Sequence, residues 1–343
     1  MIPQTDAIRQ ADTTDSGNVS WQQALANSIR DPKELFKLLE LDERQLPNAL
    51  RACNDFALQV PRAFVDRMVK GDWNDPLLQQ ILPQGRELDI QPGFSNDPLL
   101  EIADNPVSGL IHKYQGRVLL VVSGGCAINC RYCFRRHFPY QNNNPSSSEW
   151  QAALDYIGQD SSITEVILSG GDPLAANDKR LTDLANRIAA IPQVDTLRVH
   201  TRMPIVIPQR ISSAEISWLT STRLKPVMVI HCNHPNEIDE DVVNALQTLR
   251  QAGVTLLNQT VLLAGINDSV DTLNNLSKRL FTAGVLPYYL HLLDKVNGSA
   301  HFDVAEQRAQ ELIGELRGQL PGYLVPKLVR EQAGAMSKMA ING

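Results

Sequence analysis

The sequence predicts an α/β protein, a partial (β/α)6 barrel with a helical region before it and a short segment after it. Two observations carry that expectation. From residue 117 onward, strand-like runs alternate with helix-like runs six times, which implies a parallel sheet covered by helices. The strand-like runs also end, one after another, in polar residues, and ligands of parallel sheets collect at the C-terminal ends of the strands. Six units are too few for a closed eight-stranded barrel. The periodicity alone fits a doubly wound sheet as well.

Taken in order, Met1–Val19 is polar and lacks the apolar core of a signal peptide, so it is expected to be a mobile N-terminus. Residues 20–106 form a helical region and a connector. Trp21, Leu25 and Ile29 recur at helical spacing, and Asp31-Pro32 can cap and open the next helix, which carries Leu35, Phe36, Leu38 and Leu39. Leu46, Leu50, Phe64, Val65 and Met68 continue the pattern as packing surface. From Gly71 to Pro106, turn pairs such as Asn74-Asp75-Pro76 and Gln91-Pro92-Gly93 break the chain, with one short helix expected at Leu77–Leu82.

The barrel is assigned to residues 107–320. Its expected strands are Arg117–Val122, Thr164–Leu168, Thr196–Thr201, Pro226–His231, Thr255–Val261 and Val285–Leu290. The helices are Ser147–Gly158, Asp178–Ala190, Ser213–Ser221, Ile238–Ala252, Ser269–Ala283 and Val304–Leu320. Residues 321–343 are left as a C-terminal segment.

Charge and composition narrow the partners. The 343 residues carry a net charge of −6 with no basic stripe, which argues against nucleic acid. No apolar run approaches the ~20 residues needed to span a bilayer. The expected compartment is the cytoplasm, where Cys53 and Cys232 stay free thiols.

Three of the five cysteines, Cys126, Cys130 and Cys133, follow the apolar run Val118–Val122 at the spacing C-x3-C-x2-C. Clustered thiolates select iron–sulfur clusters or zinc. A cluster that only carries electrons takes four thiolates, whereas three leave one iron open. His137 makes a Cys3His zinc site the alternative, although small zinc modules usually close with a second ligand pair further along. The spacing, with Tyr132 before the last cysteine, resembles the signature of radical S-adenosylmethionine (SAM) enzymes. That resemblance implies a 4Fe-4S cluster whose open iron binds SAM and gives it one electron, releasing a 5′-deoxyadenosyl radical.

The strand ends supply further candidates: Ser169-Gly170-Gly171-Asp172-Pro173, Thr201-Arg202, His231-Cys232-Asn233-His234, Asn258-Gln259, His291 and Asp294. A Gly-Gly turn lets backbone approach a ligand closely, but such turns are common after strands. His231 and His234 do not share a face at a strand end, so one is expected to contact a ligand and the other to be structural. By its position alone, Lys338 would be a solvated charge.

Together these stretches resemble the lysine 2,3-aminomutase family. The likeness includes Ile111-His112-Lys113-Tyr114 with Arg117, Arg135-Arg136, Thr201–Pro204, His231–Glu237, Pro287-Tyr288-Tyr289 and Gly322–Pro326 leading to Lys338, and it runs from about Asp72 to Lys338. It implies a radical SAM partial barrel with a C-terminal segment that binds pyridoxal 5′-phosphate (PLP). Lys338 would form the Schiff base, and Lys113 and Arg117 would lie near the PLP phosphate. SAM would meet Ser169, Gly170, Gly171, Asp172, Arg202, His231, Gln259 and His291. Arg135 would hold the substrate carboxylate, and Asp294 and Glu331 the distal ammonium of L-lysine. The family moves the amino group from carbon 2 to carbon 3.

Two departures stand out. Gly334-Ala335-Met336-Ser337 replaces a glycine run, and Glu331 stands where aspartate is usual. The chain also lacks the zinc-binding extension of longer members, so no zinc is expected. This short form resembles the bacterial enzyme that makes (R)-β-lysine for elongation factor P, which is modified by a ligase resembling lysyl-tRNA synthetase. A one-electron donor such as a flavodoxin or ferredoxin is implied. The competing readings are a glutamate or arginine 2,3-aminomutase, a PLP-independent radical SAM enzyme acting on a macromolecule, and a non-enzymatic iron–sulfur or zinc protein. The acidity of Asp294 and Glu331 argues against glutamate.

Overall fold

The structure, a computed structural model, describes residues 20–101, 104–140 and 150–342. The expected mobile Met1–Val19 and the first residues of the Ser147–Gly158 helix lie outside them.

The helical region contains α1 (Trp21–Ala26), α2 (Pro32–Leu38), α3 (Leu46–Asp55), α4 (Arg62–Val65) and α5 (Pro76–Gln79). Ser20 caps α1 by accepting from the Gln23 N–H, and Asp31 caps α2 with Pro32 in its first turn. Buried Asp75 accepts from the N–H groups of Leu77 and Leu78, which starts α5. The apolar faces of these short helices join the same core as the sheet that follows, with Trp21, Phe36, Phe64 and Leu77 in one cluster with Val118, Val166 and Ile230. Each such side chain contributes roughly 1.5–3 kcal/mol by leaving water.

A hairpin opens the sheet. Strand β1 (Leu110–Tyr114) turns back through Gln115-Gly116 into β2 (Arg117–Ser123) and pairs with it antiparallel, Tyr114 opposite Arg117. Then follow α6 (Trp150–Gln159), β3 (Glu165–Gly170), α7 (Asp178–Ala189), β4 (Thr196–Thr201), α8 (Met203–Val206) and α9 (Ser217–Thr220). The chain continues with β5 (Lys225–His231), α10 (Glu240–Gln251), β6 (Thr255–Val261), α11 (Val270–Thr282), β7 (Leu286–His291), α12 (Glu306–Gln319), β8 (Lys327–Arg330) and β9 (Met339–Ala340). The long helices bury one stripe each, for example Leu181, Leu184, Ala185 and Ile188 of α7. Among the described residues, no helix is long and apolar enough to cross a membrane.

The strands lie in chain order from β1 to β9. The six expected strands are β2 to β7, within two residues at each end. The parallel set has seven members, because β8 pairs parallel with β7, with Leu290 beside Leu328. At its far edge, β9 pairs antiparallel with β8, placing Arg330 opposite Met339. These two strands lie within the C-terminal segment 321–343 and join it to the sheet. They are too short for an alternating pattern; β8 takes its register from β7, and β9 from β8. The sheet is an open, partial barrel whose edges are β1 and β9. The expected Ser213–Ser221 helix shrinks to Ser217–Thr220, because a turn closed by Ser212 and Glu215 uses the preceding residues.

Candidate active site

Strand alternation points one set of side chains at the helices and the other into the barrel. Along β4, Leu197, Val199 and Thr201 are buried, while Arg198 and His200 line a cavity of about 700 Å³. Glu165, Ile167 and Ser169 of β3, Gln259 and Val261 of β6, and Tyr289 and His291 of β7 line the same space. This cavity brings together Cys126, Cys130, Cys133, Lys113, Arg117, Arg135, Ser169, Gly170, Gly171, Asp172, Arg202, His231, Gln259, His291, Asp294, Glu331 and Lys338, whereas the strand-end candidates Cys232, Asn233, His234 and Asn258 lie outside its lining. A second hollow of about 500 Å³, lined by residues such as Asn48, Arg51 and Arg86, holds none of them.

The cysteine loop leaves β2 and is clamped from outside by the N-terminal region. Gln59 donates to the Cys126 carbonyl (2.7 Å), the Arg131 N–H reaches the Gln80 carbonyl (2.9 Å), and the Asn129 N–H reaches the Gln59 carbonyl (2.9 Å). Buried Glu87 accepts from Arg131 through Nε and Nη2 and also faces Arg136 at 3.2 Å. The helical region is therefore a support for the cysteines, a role its apolar pattern does not reveal.

Burial raises the Cys126 thiol, with Cys133 next in effect. Cys133 is pushed to about 11 by burial and then by Cys130. Two buried thiols held above their ordinary range call for a positively charged iron or zinc centre before they ionise. Among the described residues, no three His, Cys, Asp or Glu side chains converge closely enough to hold a single metal ion. Four-iron clusters are held by cysteine thiolates, and Cys126, Cys130 and Cys133 line this one cavity. His137, the fourth ligand of the zinc alternative, does not line the cavity among the described residues.

Glycine at 170 and 171 serves contact between loops. A Cβ on Gly171 would meet the Gly125 carbonyl oxygen at 2.5 Å, and one on Gly170 would meet that of Ser123 at 2.6 Å. The N–H groups of Gly171 and Asp172 donate to Ser123 and Gly125. Asp172 accepts from the Leu174 and Arg202 N–H groups and the Thr201 hydroxyl. That carboxylate thus braces the frame. Asp172 also lines the cavity while it ties β3 to β4.

Two arginines of the cavity spend most of their N–H groups within the protein. Arg135 gives Nε and Nη2 to Glu101 (2.6 and 2.8 Å) and Nη1 to Ser169 Oγ and the Gly170 carbonyl. One Nη2–H is left to offer, so its fork is not open for a bidentate carboxylate. Arg202 directs Nη1 to Cys130 Sγ and Tyr132, and Nη2 to Gln80 and Glu237, which leaves only Nε–H for SAM. Glu101 lies on the connector, and no sequence motif points to it.

The β8–β9 pairing brings Glu331 and Lys338 together, and they form an ion pair. Tyr114 donates to Glu331 (2.8 Å), and Lys113 sits 3.7 Å from Glu101 and 3.8 Å from Glu331. Burial pushes Glu331 up, but Lys338 outweighs it and leaves the carboxyl at about 2. Asp294, facing the same space, is raised to about 7 by burial and then by Glu331. Arg117 stacks on Tyr114 (4.7 Å to the ring centre). His231 bonds Gln259 (2.9 Å) and falls to about 3 through burial, with Arg202 next in effect. Burial keeps His200 and His291 neutral as well. Nε of Arg198 and Nε2 of His200 and His291 have no partner, so polar groups of a bound cofactor could satisfy them. Arg198 and His200 were legible as polar positions on an alternating strand.

A family model described as the radical SAM superfamily matches residues 120–276. The chain is 50% identical over 323 residues to the L-lysine 2,3-aminomutase of Escherichia coli (strain K12), covering 94% of each. It is 48% identical over 338 residues to that of Haemophilus influenzae (strain ATCC 51907), covering 98% of each. It is 34% identical to that of Clostridium subterminale over 96% of this chain and 79% of that protein.

Proposed function

The chain belongs to the lysine 2,3-aminomutase family of radical SAM enzymes, and on that premise we propose that it converts L-lysine to (R)-β-lysine with PLP as a second cofactor. It is an isomerase, and its superfamily uses a 4Fe-4S cluster and SAM. The observation that carries the PLP reading is that Lys338 and the three cysteines line one cavity.

When bound, the cluster with SAM supplies a hydrogen-abstracting radical, and PLP supplies delocalisation of the unpaired electron. Cys126, Cys130 and Cys133 would hold the cluster, and Lys338 the PLP aldehyde, once Glu331 releases its ammonium. Lys113 and Arg117 are the cations for the phosphate. Ser169, Gly170, Gly171, His231, Gln259 and His291 face the space assigned to SAM. Arg135 offers the substrate carboxylate its remaining Nη2–H. Asp294 and Glu331 would receive the distal ammonium, and their acidity favours a cationic side chain over that of glutamate. An ammonium beside Asp294 favours its ionised form, so lysine binding releases protons where the pH lies near or below about 7. Ile167, Val261 and Leu293 keep part of the wall apolar and dry.

The product is read as the donor for elongation factor P, through a ligase resembling lysyl-tRNA synthetase, in a cytoplasm where a flavodoxin or ferredoxin supplies the electron. The intact mass of elongation factor P, with and without this chain, tests that destination. The central test uses anaerobic reconstituted protein with SAM, PLP, reductant and L-lysine, analysed by mass spectrometry and chiral chromatography. (R)-β-lysine is expected, together with a visible PLP band that Lys338→Ala abolishes. No β-amino acid from protein with an intact cluster would refute the reading.

A further inference from the structure

We propose that Arg202 sets the reduction potential of the cluster on Cys126, Cys130 and Cys133, acting through the sulfur of Cys130. The inference rests on the cluster that the family brings and adds a role to a residue first expected to contact SAM.

Arg202 Nη1 lies 2.8 Å from Cys130 Sγ. Of the three cysteines, Cys130 is the one whose sulfur takes a charged side-chain donor among the described residues. The guanidinium cannot turn away. The Tyr132 hydroxyl shares Nη1 (2.8 Å), Gln80 and Glu237 hold Nη2 (2.7 and 2.9 Å), and the Phe64 ring lies 5.3 Å from its central carbon. Glu237 is fully buried and stands on the opposite edge from the sulfur, where its second oxygen accepts from Gln80 and from the N–H groups of Asn233 and His234. The pair is therefore a fixed dipole with its positive end at a cluster ligand.

Reduction adds one negative charge to the cluster. A buried cation bonded to a ligating sulfur stabilises the reduced form more than the oxidised form, and such bonds and local charge set cluster potentials. Arg202 thus makes the cluster easier to reduce for a one-electron donor and acts as a positioning residue rather than a contact to the reacting atoms.

The test is a potentiometric titration of the reduced cluster's electron paramagnetic resonance signal, with iron and sulfide counted in each sample. Arg202→Lys keeps the charge and loses the geometry; Arg202→Gln loses both. Arg202→Gln should hold about tenfold less reduced cluster at a fixed potential, a midpoint about 59 mV more negative for one electron, and Arg202→Lys should shift the same way by less. Wild-type holoenzyme carrying 15N-guanidino-labelled arginine should also show a nitrogen coupling in the pulsed spectrum, lost in Arg202→Lys. Full clusters that titrate with the wild type would overturn the proposal. If neither variant assembles a cluster, the labelled wild type decides, and absence of the coupling overturns it. A wild type without iron or signal would overturn the cluster along with the role of Arg202.

Discussion

Replacing Asp294 with asparagine tests the charge arrangement of the cavity directly. In the folded protein its carboxyl is raised to about 7, well above the ordinary carboxylate range near 4. Burial is the main cause and the Glu331 carboxylate the second. Between those two values the folded chain keeps a proton that the unfolded chain has released, so stability falls as pH rises from about 4 to about 7, then levels off. At about 1.4 kcal/mol per unit the shift has a ceiling of about 4 kcal/mol. Asp294 keeps part of its surface toward the cavity, and water there reduces the effect to about 2 kcal/mol. Asparagine has no such proton. With ~2.1 cal/mol/K of unfolding entropy per residue, the wild type should lose about 3 °C in Tm relative to Asp294→Asn across this window. The assay is thermal unfolding of anaerobic, substrate-free protein from pH 4.5 to 8.5. A Tm difference that stays constant over that range would refute the assignment of a neutral Asp294 beside an ionised Glu331.

Other perturbations read other parts of the site. Gly171→Ala forces a Cβ against the Gly125 carbonyl and should cost about 1–3 kcal/mol, lowering both Tm and the iron bound on reconstitution. Glu87→Gln leaves buried Arg131 without its carboxylate and Arg136 with Asp55 alone, a loss of about 3–5 kcal/mol by the usual cost of breaking such pairs, measured by denaturant unfolding. Glu101→Gln loosens the Arg135 fork; the KM for L-lysine should rise about tenfold, roughly the value of one charge-assisted hydrogen bond, with a smaller change in kcat. An unchanged KM would place the substrate carboxylate elsewhere.

Much of the site was legible because it is local. The cysteine spacing names a thiolate centre whatever surrounds it, and polar residues after successive apolar runs name the strand ends. Arg198 and His200 could have been added from the alternation along β4. Glu101 and Glu87 could not, because they lie on an irregular connector and acquire meaning only from arginines more than thirty positions away. Lys338 entered through a family resemblance; its own surroundings read as an exposed terminus. The two-residue β9 explains its position, since pairing with β8 sets it opposite Glu331.

Hydrophobic period and thiol spacing, both properties of neighbouring residues, determined the parallel sheet, its helix layer and the cysteine centre from the sequence alone. Tertiary structure decided which charges meet: Arg135 with Glu101, Arg202 with Cys130 and Glu237, and Lys338 with Glu331. A buried charge accepts whichever counter-charge the packing brings within reach, and the packing of strand ends, connector and terminal hairpin is a property of the whole chain.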